Sequence, residues 1–454
     1  MSSSSALSNI VSAAKAIAGW GERLAFGWDT ILCRRSNPRN FENLYRNGAG
    51  NLDGRDPTPI AGNTRLRSIG VVTTSRADYG IYLPLLKALQ SDPEFSLKLY
   101  VSGTHLASEF GLTVRSIEQD GFEIAERIEV ILSSDTPQAI AKSMGLGLIG
   151  FGQSFSRFKP DLLIVLGDRY EMLAAALAAL PFKIPIAHLA GGELTEGAID
   201  DSLRHSISKL SHLHFTATRE YANRVVQLGE DPARVFVSGA LALDGILTAP
   251  PLSVEELNRR LGIDVEKPFL LVTFHPVTLE FEQTEWQIIE LLAALEAAGF
   301  PVIFTMPNAD TAGRIIAAKI RQWVQSHAAV AIDSLGSQAY FSAMRQAAAV
   351  VGNSSSGIIE APSFKVPVVN VGTRQTGRIR ARNVIDVGYA RSEILNAIRT
   401  ATSTEFRSSL LALTNPYASE KGSAVSYVLQ VLKNIPLGDS LVRKKFHDAR
   451  DTAG

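Results

Sequence analysis

Six short stretches of the chain carry side chains suited to acid–base or anion-binding work. Gly352-Asn-Ser-Ser-Ser-Gly357 combines small residues with three hydroxyls. Small residues let backbone N–H groups approach an anion, and the hydroxyls add donors. The loop lacks the spacing and the Lys of a P-loop, which argues against ATP hydrolysis of that kind. An ordinary Ser-rich helix cap is the alternative reading. Thr373-Arg374-Gln-Thr-Gly-Arg378-Ile-Arg380 lies about one βαβ unit further on and supplies guanidinium groups suited to bidentate phosphate contact. The two stretches together predict a phosphate site. Thr74-Ser-Arg76-Ala-Asp78-Tyr-Gly80 is not the glycine fingerprint of a dinucleotide fold, which weakens a hydride-transfer reading. Asp78 there reads equally as a helix cap, and Arg76 as a group facing a ligand.

Three further stretches concentrate acids and a histidine. Leu166-Gly-Asp168-Arg169-Tyr-Glu171 ends an apolar run. A carboxylate at that place is costly unless it has a partner or a task. Capping of a helix that starts at Arg169 is the structural alternative. The stretch His188-Leu-Ala190-Gly-Gly-Glu193 continues to Asp200-Asp201-Ser-Leu-Arg204-His205. Neighbouring carboxyls raise one another's pKa, so one can serve as acid and another as base. His188 and His205 do not make a metal spacing and read as structural, so no metal site is expected. Thr273-Phe-His275-Pro-Val-Thr278 offers a histidine able to bridge a diphosphate or act as a general acid.

Each of these stretches follows an apolar, β-branched run. Such runs fall at 69–73, 97–102, 162–166, 185–189, 214–217 and 235–237, with helical patterns between them. A second set follows at 269–274, 302–305, 330–332, 349–351 and 366–370. Apolar strands alternating with helices signal a parallel sheet buried on both faces. The expected architecture is therefore two doubly wound α/β domains, near 67–245 and 255–415, joined by a linker at 249–252. A closing helix is expected at 417–433, and a solvated tail at 434–454 carrying Arg443-Lys-Lys445. Ligands of open α/β sheets sit beyond the carboxyl ends of the strands, where the six stretches lie. Residues 1–66 are rich in Ser, Asn, Gly and Arg and read as a poorly ordered extension. Within it, 9–20 is long enough for about three helical turns.

Composition narrows the classes further. The chain has 454 residues, with 45 Lys and Arg against 45 Asp and Glu. Zero net charge excludes a general polyanion binder, so no nucleic-acid partner is expected. At 46% apolar and 20% charged residues the chain suits a globular protein. Cys33 is the single cysteine, which allows no internal disulfide and points to a reducing compartment such as the cytoplasm. No run approaches the roughly 20 apolar residues of a membrane span. The best, 172–188, is broken by Pro181, Lys183 and Pro185. The first five residues lack the basic region of a secretory signal, and Lys15 interrupts the apolar stretch that follows.

Taken in order from about Ser68 to Lys433, the six motifs resemble the hydrolysing UDP-N-acetylglucosamine 2-epimerases of sialic-acid synthesis. The resemblance implies a GT-B fold, with two Rossmann-like domains closing on a UDP-sugar. It also implies a reaction in which UDP-N-acetylglucosamine and water give N-acetylmannosamine and UDP. A base removes the C2 proton, UDP departs from C1, and water adds to the 2-acetamidoglucal with inversion at C2. No nicotinamide cofactor is needed, and a homodimer or dimer of dimers is implied.

Carried over onto this chain, Arg76, Arg169, Asn308, Ser354, Ser355, Glu360 and Arg374 resemble nucleotide-binding positions. Glu360 would hold the ribose hydroxyls, and Ser354 and Ser355 the diphosphate. Asp168, Glu193, Asp200 and His275 resemble the acid–base region. The expectation places proton transfers on Asp168 and Glu193 and stabilisation of departing UDP on His275, with Asp201 as a further candidate. Related epimerases place a Glu two residues after the His of the His188 strand. Here that residue is Ala190, which moves the weight of the base to Glu193. Relatives acting on UDP-2,4-diacetamido-2,4,6-trideoxyglucose give an alternative substrate. The Thr-x-His-Arg-Arg-Glu-Asn signature of non-hydrolysing epimerases is replaced by Thr-Phe-His-Pro-Val-Thr. A glycosyltransferase on the same fold and a non-catalytic UDP-sugar sensor are the competing classes.

Overall fold

Short β-branched runs flanked by helices form two wholly parallel sheets in the computed structural model, which describes residues 66–448 apart from 249 and 334. The helix suggested at 9–20 and Cys33 lie outside the described residues. The first sheet contains β1 (Arg67–Thr73), β2 (Phe95–Ser102), β3 (Ile124–Ile128), β4 (Leu162–Leu166), β5 (Ile186–Leu189), β6 (Leu213–Thr216) and β7 (Val235–Val237). Its order is β3-β2-β1-β4-β5-β6-β7. The second sheet contains β8 (Leu270–Thr273), β9 (Val302–Thr305), β10 (Ala329–Ile332), β11 (Ala349–Gly352), β12 (Val368–Val371) and β13 (Val384–Val387), in the order β10-β9-β8-β11-β12-β13. In both sheets the winding reverses at one place, β1 beside β4 and β8 beside β11. A crevice opens beyond the strand ends at each such reversal.

The strands are apolar through their length because helices cover both faces. All five residues of β4 are buried. The first sheet is wrapped by α1 (Arg76–Ser91), α2 (Pro137–Arg157), α3 (Tyr170–Ala179), α4 (Asp200–Leu210) and α5 (Arg219–Gln227). Around the second lie α6 (Thr284–Ala298), α7 (Gly313–Trp323), α8 (Gly336–Gln346) and α9 (Arg391–Thr402). The edge strands β3 and β13 were not among the expected runs. Their sequences, Ile-Ala-Glu-Arg-Ile and Val-Ile-Asp-Val, mix charge with apolar residues, and most of their residues are only half-buried. No helix among the described residues is long and apolar enough to cross a membrane.

The C-terminal segment departs from expectation in two ways. Its helix, α10 (Ala424–Asn434), starts later than 417 because Ser423 caps it, accepting from the Ser426 N–H. Tyr417 is buried at the domain crossing instead; its hydroxyl donates to the Ile379 carbonyl at 2.8 Å and meets the Tyr221 hydroxyl at 2.9 Å. Ala424, Val425, Val428 and Leu432 of α10 join the core of the first sheet. Of the residues expected as a solvated tail, the described part to 448 is mostly exposed but anchored at two points. Leu441 is buried, and Lys444 Nζ lies 2.7 Å from the buried Glu230 carboxylate. Lys209 and His214 also face Glu230, at 2.8 and 3.0 Å. Burial opposes the Glu230 charge, but hydrogen bonds from His214, Lys209 and Lys444 bring its pKa down to about 2. The basic tail is therefore held by a buried acid that lies more than 200 residues upstream.

Asp244 fixes this crossing. It accepts from the Ser423 hydroxyl at 2.7 Å and from the Ala424 and Val425 N–H groups at 3.2 and 2.7 Å. Asp244→Ala leaves these donors buried without that acceptor. Urea unfolding is expected to show a loss of about 3 kcal/mol, with Asp244→Asn losing less than half as much.

Candidate active site

The carboxyl ends of the two sheets face each other across a cleft of about 1510 Å³. On the second domain, β8 runs into His275 and β11 into Asn353. The Asn353 side chain accepts from the His275 N–H at 2.7 Å and donates to the His275 carbonyl at 2.8 Å, stapling the two strand ends together. Gly352 permits this approach. It has φ +128°, and a Cβ there would lie 2.0 Å from the Thr273 carbonyl oxygen. The His275 Nδ1 accepts from the Asn308 N–H at 3.3 Å, which leaves the ring proton on Nε2. Burial, then the charges of Arg374, Arg76 and Arg169, hold the His275 pKa well below its ordinary value. The ring is thus a neutral donor rather than an imidazolium. Ser354 caps the short helix Ser355–Ile359, and the hydroxyls of both Ser354 and Ser355 lie at the cleft. Glu360 is buried with its Oε2 lacking a hydrogen-bond partner, and burial raises its pKa to about 7.

On the first domain, Asp78 takes the structural reading. Ser75 and Asp78 form a reciprocal capping box on α1, and Asp78 also accepts from the Thr74 N–H and hydroxyl. Arg76 reaches across the cleft, its Nη2 donating to the Met306 carbonyl at 2.6 Å. His188 likewise is structural. Its Nε2 donates to the Gly167 carbonyl at 2.8 Å, its Nδ1 meets the Ser208 hydroxyl at 3.0 Å, and burial lowers its pKa to about 3. It anchors the turn that presents Asp168. Asp168 does not cap α3, whose N-cap is Arg169 with no side-chain bond. Its carboxylate is held by Arg204 instead.

Arg204 is the largest fully buried side chain described. Besides Asp168 it donates to Glu193 Oε2 at 3.2 Å, the Thr195 hydroxyl at 2.9 Å and the Ala190 carbonyl at 3.2 Å. Ala190 sits at φ +61° and contributes only this carbonyl to the network. From the second domain Arg378 comes within 2.8 Å of the same Glu193 oxygen. A second chain of ion pairs crosses the cleft as well. Arg169 binds Glu171 at 3.1 Å and Asp310 at 3.3 Å. Arg374 lies 3.9 Å from Asp310 and 3.6 Å from Asp200. The loops themselves interlock: a Cβ on Gly197 would lie 2.7 Å from the Thr373 carbonyl, and the Ile199 N–H donates to the Thr278 hydroxyl at 2.9 Å.

These charges set two carboxyls apart. Burial alone would raise Asp168, but Arg204, Arg378, Arg374 and Arg169 together hold it below its usual value. Asp200 is pushed up to about 7 by burial and by the Asp168 charge. One group is thus an ionised base and the other an acid near neutral pH. All the candidate catalytic and nucleotide-binding residues of the sequence analysis line this one cleft. Asp201 does not. It accepts from the Thr195 N–H at 2.7 Å and pairs with His205 at 3.6 Å, bracing the loop that carries Glu193. Two charged residues were not singled out beforehand. Arg204 was read as part of a motif without a task, and Asp310 was passed over although it follows β9 as the other site residues follow their strands.

The match to known proteins covers most of the chain. Residues 87–433 fit the family model described as UDP-N-acetylglucosamine 2-epimerase. Over 323 residues the chain is 44% identical to the GDP/UDP-N,N'-diacetylbacillosamine 2-epimerase (hydrolyzing) of Campylobacter jejuni, covering 70% of this chain and 84% of that one. It is 38% identical over 379 residues to the UDP-N,N'-diacetylbacillosamine 2-epimerase (hydrolyzing) of Legionella pneumophila, covering 84% and 99%. The crystal structure of the Neisseria meningitidis UDP-GlcNAc 2-epimerase bound to UDP-GlcNAc aligns with a TM-score of 0.68 at 19% identity, over 81% of this chain and 100% of that one. At that identity the likeness speaks for the fold, which is GT-B-like.

Arg204→Gln removes one charge from between the buried Glu193 carboxylate and the half-buried Asp168 carboxylate. The expected cost is about 3–5 kcal/mol near neutral pH. Asp168 has a folded pKa below its unfolded value, so its contribution is present above about pH 3.9 and lost as the pH falls through the folded value. The gap between variant and parent, measured by chemical unfolding, should therefore be widest near pH 7 and narrow below about pH 3.9.

Proposed function

The chain belongs to the UDP-N-acetylglucosamine 2-epimerase family, and from that premise we propose that it is a hydrolysing 2-epimerase of a UDP-2-acetamido sugar. Water and the UDP-sugar give the free C2-epimeric sugar and UDP. The observation that carries this reading is the division of labour in the cleft. An ionised carboxylate and a neutral carboxyl of the first domain face a hydroxyl and guanidinium cradle on the second.

Ser354, Ser355 and Arg76 hold the diphosphate, with Arg169 and Arg374 adding positive charge and Asn308 lining its cradle. The partnerless Glu360 oxygen accepts from the ribose hydroxyls. Asp168 removes the C2 proton as the C1–O bond breaks and UDP departs. The His275 Nε2–H donates to the charge that grows on the leaving group, a donor that needs no change of protonation. The product of this step is a 2-acetamidoglucal. Water then adds across its double bond. Its oxygen bonds to C1, Glu193 takes the water proton, and Asp200 delivers a proton to C2 on the face opposite the one first attacked. The net proton leaves to solvent with UDP.

We favour UDP-2,4-diacetamido-2,4,6-trideoxyglucose, which is UDP-N,N'-diacetylbacillosamine, as the substrate. Relatives 44% and 38% identical carry that activity in their names. UDP-N-acetylglucosamine, giving N-acetylmannosamine, is the second reading and rests on the description of the family model.

Proton NMR in heavy water with each UDP-sugar decides between them. Release of the 2-epimeric free sugar carrying deuterium at C2, together with UDP, is expected for the diacetamido sugar at a kcat/KM at least about tenfold above the other, a gap of about 1.4 kcal/mol. Asp168→Asn should lower kcat about 10²–10⁴-fold, and Glu193→Gln is expected to fall in the same range. UDP binding without turnover of either sugar would make the protein a sensor or a transferase.

A further inference from the structure

The reading above assigns proton transfers to carboxyls of the first domain. One carboxyl of the second domain enters the same cluster and has no part in it. Asp310 lies between β9 and α7 and is 8% exposed. Its Oδ1 accepts from Arg169 Nη1 at 3.3 Å. Its Oδ2 is buried with no hydrogen-bond partner and lies 3.9 Å from Arg374 Nη2. With Asp168, Arg169 and Asp200 it lines a side cavity of about 310 Å³ next to the main cleft.

Counting charges defines its effect. One chain of ion pairs runs Glu171, Arg169, Asp310, Arg374, Asp200, and the other runs Asp168, Arg204, Glu193, Arg378. Five carboxyls face four guanidiniums, most of them buried. A buried carboxylate without its own cation takes up a proton. Asp200 stands at the end of its chain, and the single guanidinium it reaches is shared with Asp310. The groups facing Asp200 are Asp168 and Arg169 from the turn after β4, Arg374 from the loop after β12, and Asp310 from the loop after β9. On its own helix α4 lie Asp201 and Arg204.

We propose that Asp310 is a positioning residue that draws Arg169 and Arg374 towards itself and so keeps Asp200 protonated as the proton donor of the reaction. The inference rests on the proposed epimerase chemistry. Because Asp310 belongs to the second domain, Asp200 receives this influence only when the domains are closed on each other. Without the Asp310 charge, Arg374 serves Asp200 alone and Asp200 ionises at lower pH. Activity that needs protonated Asp200 is present below its pKa and lost as the pH rises through it, so the alkaline limb moves down.

The test compares kcat from pH 6 to 9 for the parent, Asp310→Asn and Asp310→Glu. The Asn variant is expected to stay within about threefold of the parent at pH 6 and to fall about tenfold below it at pH 8, as a pKa lowered by about one predicts. The Glu variant, which keeps the charge, is expected to restore the parent's alkaline limb. A uniform loss with the limb unmoved, or no loss at pH 8, overturns the proposal. Asp310→Ala is read in the same way where the Asn variant does not fold. A parent that binds UDP but turns over neither UDP-sugar at any pH overturns the epimerase reading itself, and this inference with it.

Discussion

Guanidinium groups buried at a domain junction cannot stay there unless carboxylates are brought to them. Removing such charges from water is costly, and only close partners offset it. Arg204, Arg374 and Arg378 are all nearly inaccessible; Arg204 finds its carboxylates within the first domain, whereas Arg374 and Arg378 depend on carboxylates of the other domain. Arg378 reaches from the second domain to Glu193 on the first. Arg169 reaches from the first domain to Asp310 on the second. Arg169, Arg374 and Arg378, which bridge the domains, thus also bear on the protonation of Asp168.

The winding of the sheets makes that arrangement available. Each sheet reverses direction once, so the carboxyl ends at the reversal diverge and leave a crevice. Two such crevices face to face give opposing sets of turns, one acidic and one rich in hydroxyls and guanidiniums. Small local devices then aim the side chains. His188 ties down the turn before Asp168. Asn353 fixes the backbone of His275 from the neighbouring strand. Asp201 braces the Glu193 loop without entering the cleft. None of these three needs to touch a substrate to matter for its chemistry.

Much of this could be read from the residues alone. Central strands declare themselves because burial on both faces demands unbroken apolar runs, as in β4. Edge strands β3 and β13 do not, because charged residues interrupt their apolar runs, whereas the edge strands β7 and β10 keep theirs. The site was legible through one rule, that ligand groups follow strand ends. The rule does not tell a cap from a catalyst. Asp78 and Asp168 each lie within a few residues of a strand end, after β1 and β4, yet one caps a helix and the other is held at the cleft by Arg204. Only contacts between distant parts of the chain separate them. Asp310 escaped because its meaning lies in an ion pair with a residue 141 positions away.

The packing of the last segment bears on how the molecule is made. Residues 424–441 complete the apolar core beneath the first sheet, although most of that sheet's strands are synthesised more than two hundred residues earlier. A growing chain emerges from the ribosome N-terminus first, and domains usually fold as they appear. Here the earlier domain must wait, with part of its apolar surface uncovered, until the later one has been made and the chain has doubled back. The second domain alone can finish during synthesis. A chain truncated before α10 would have a complete second domain and an unfinished first one.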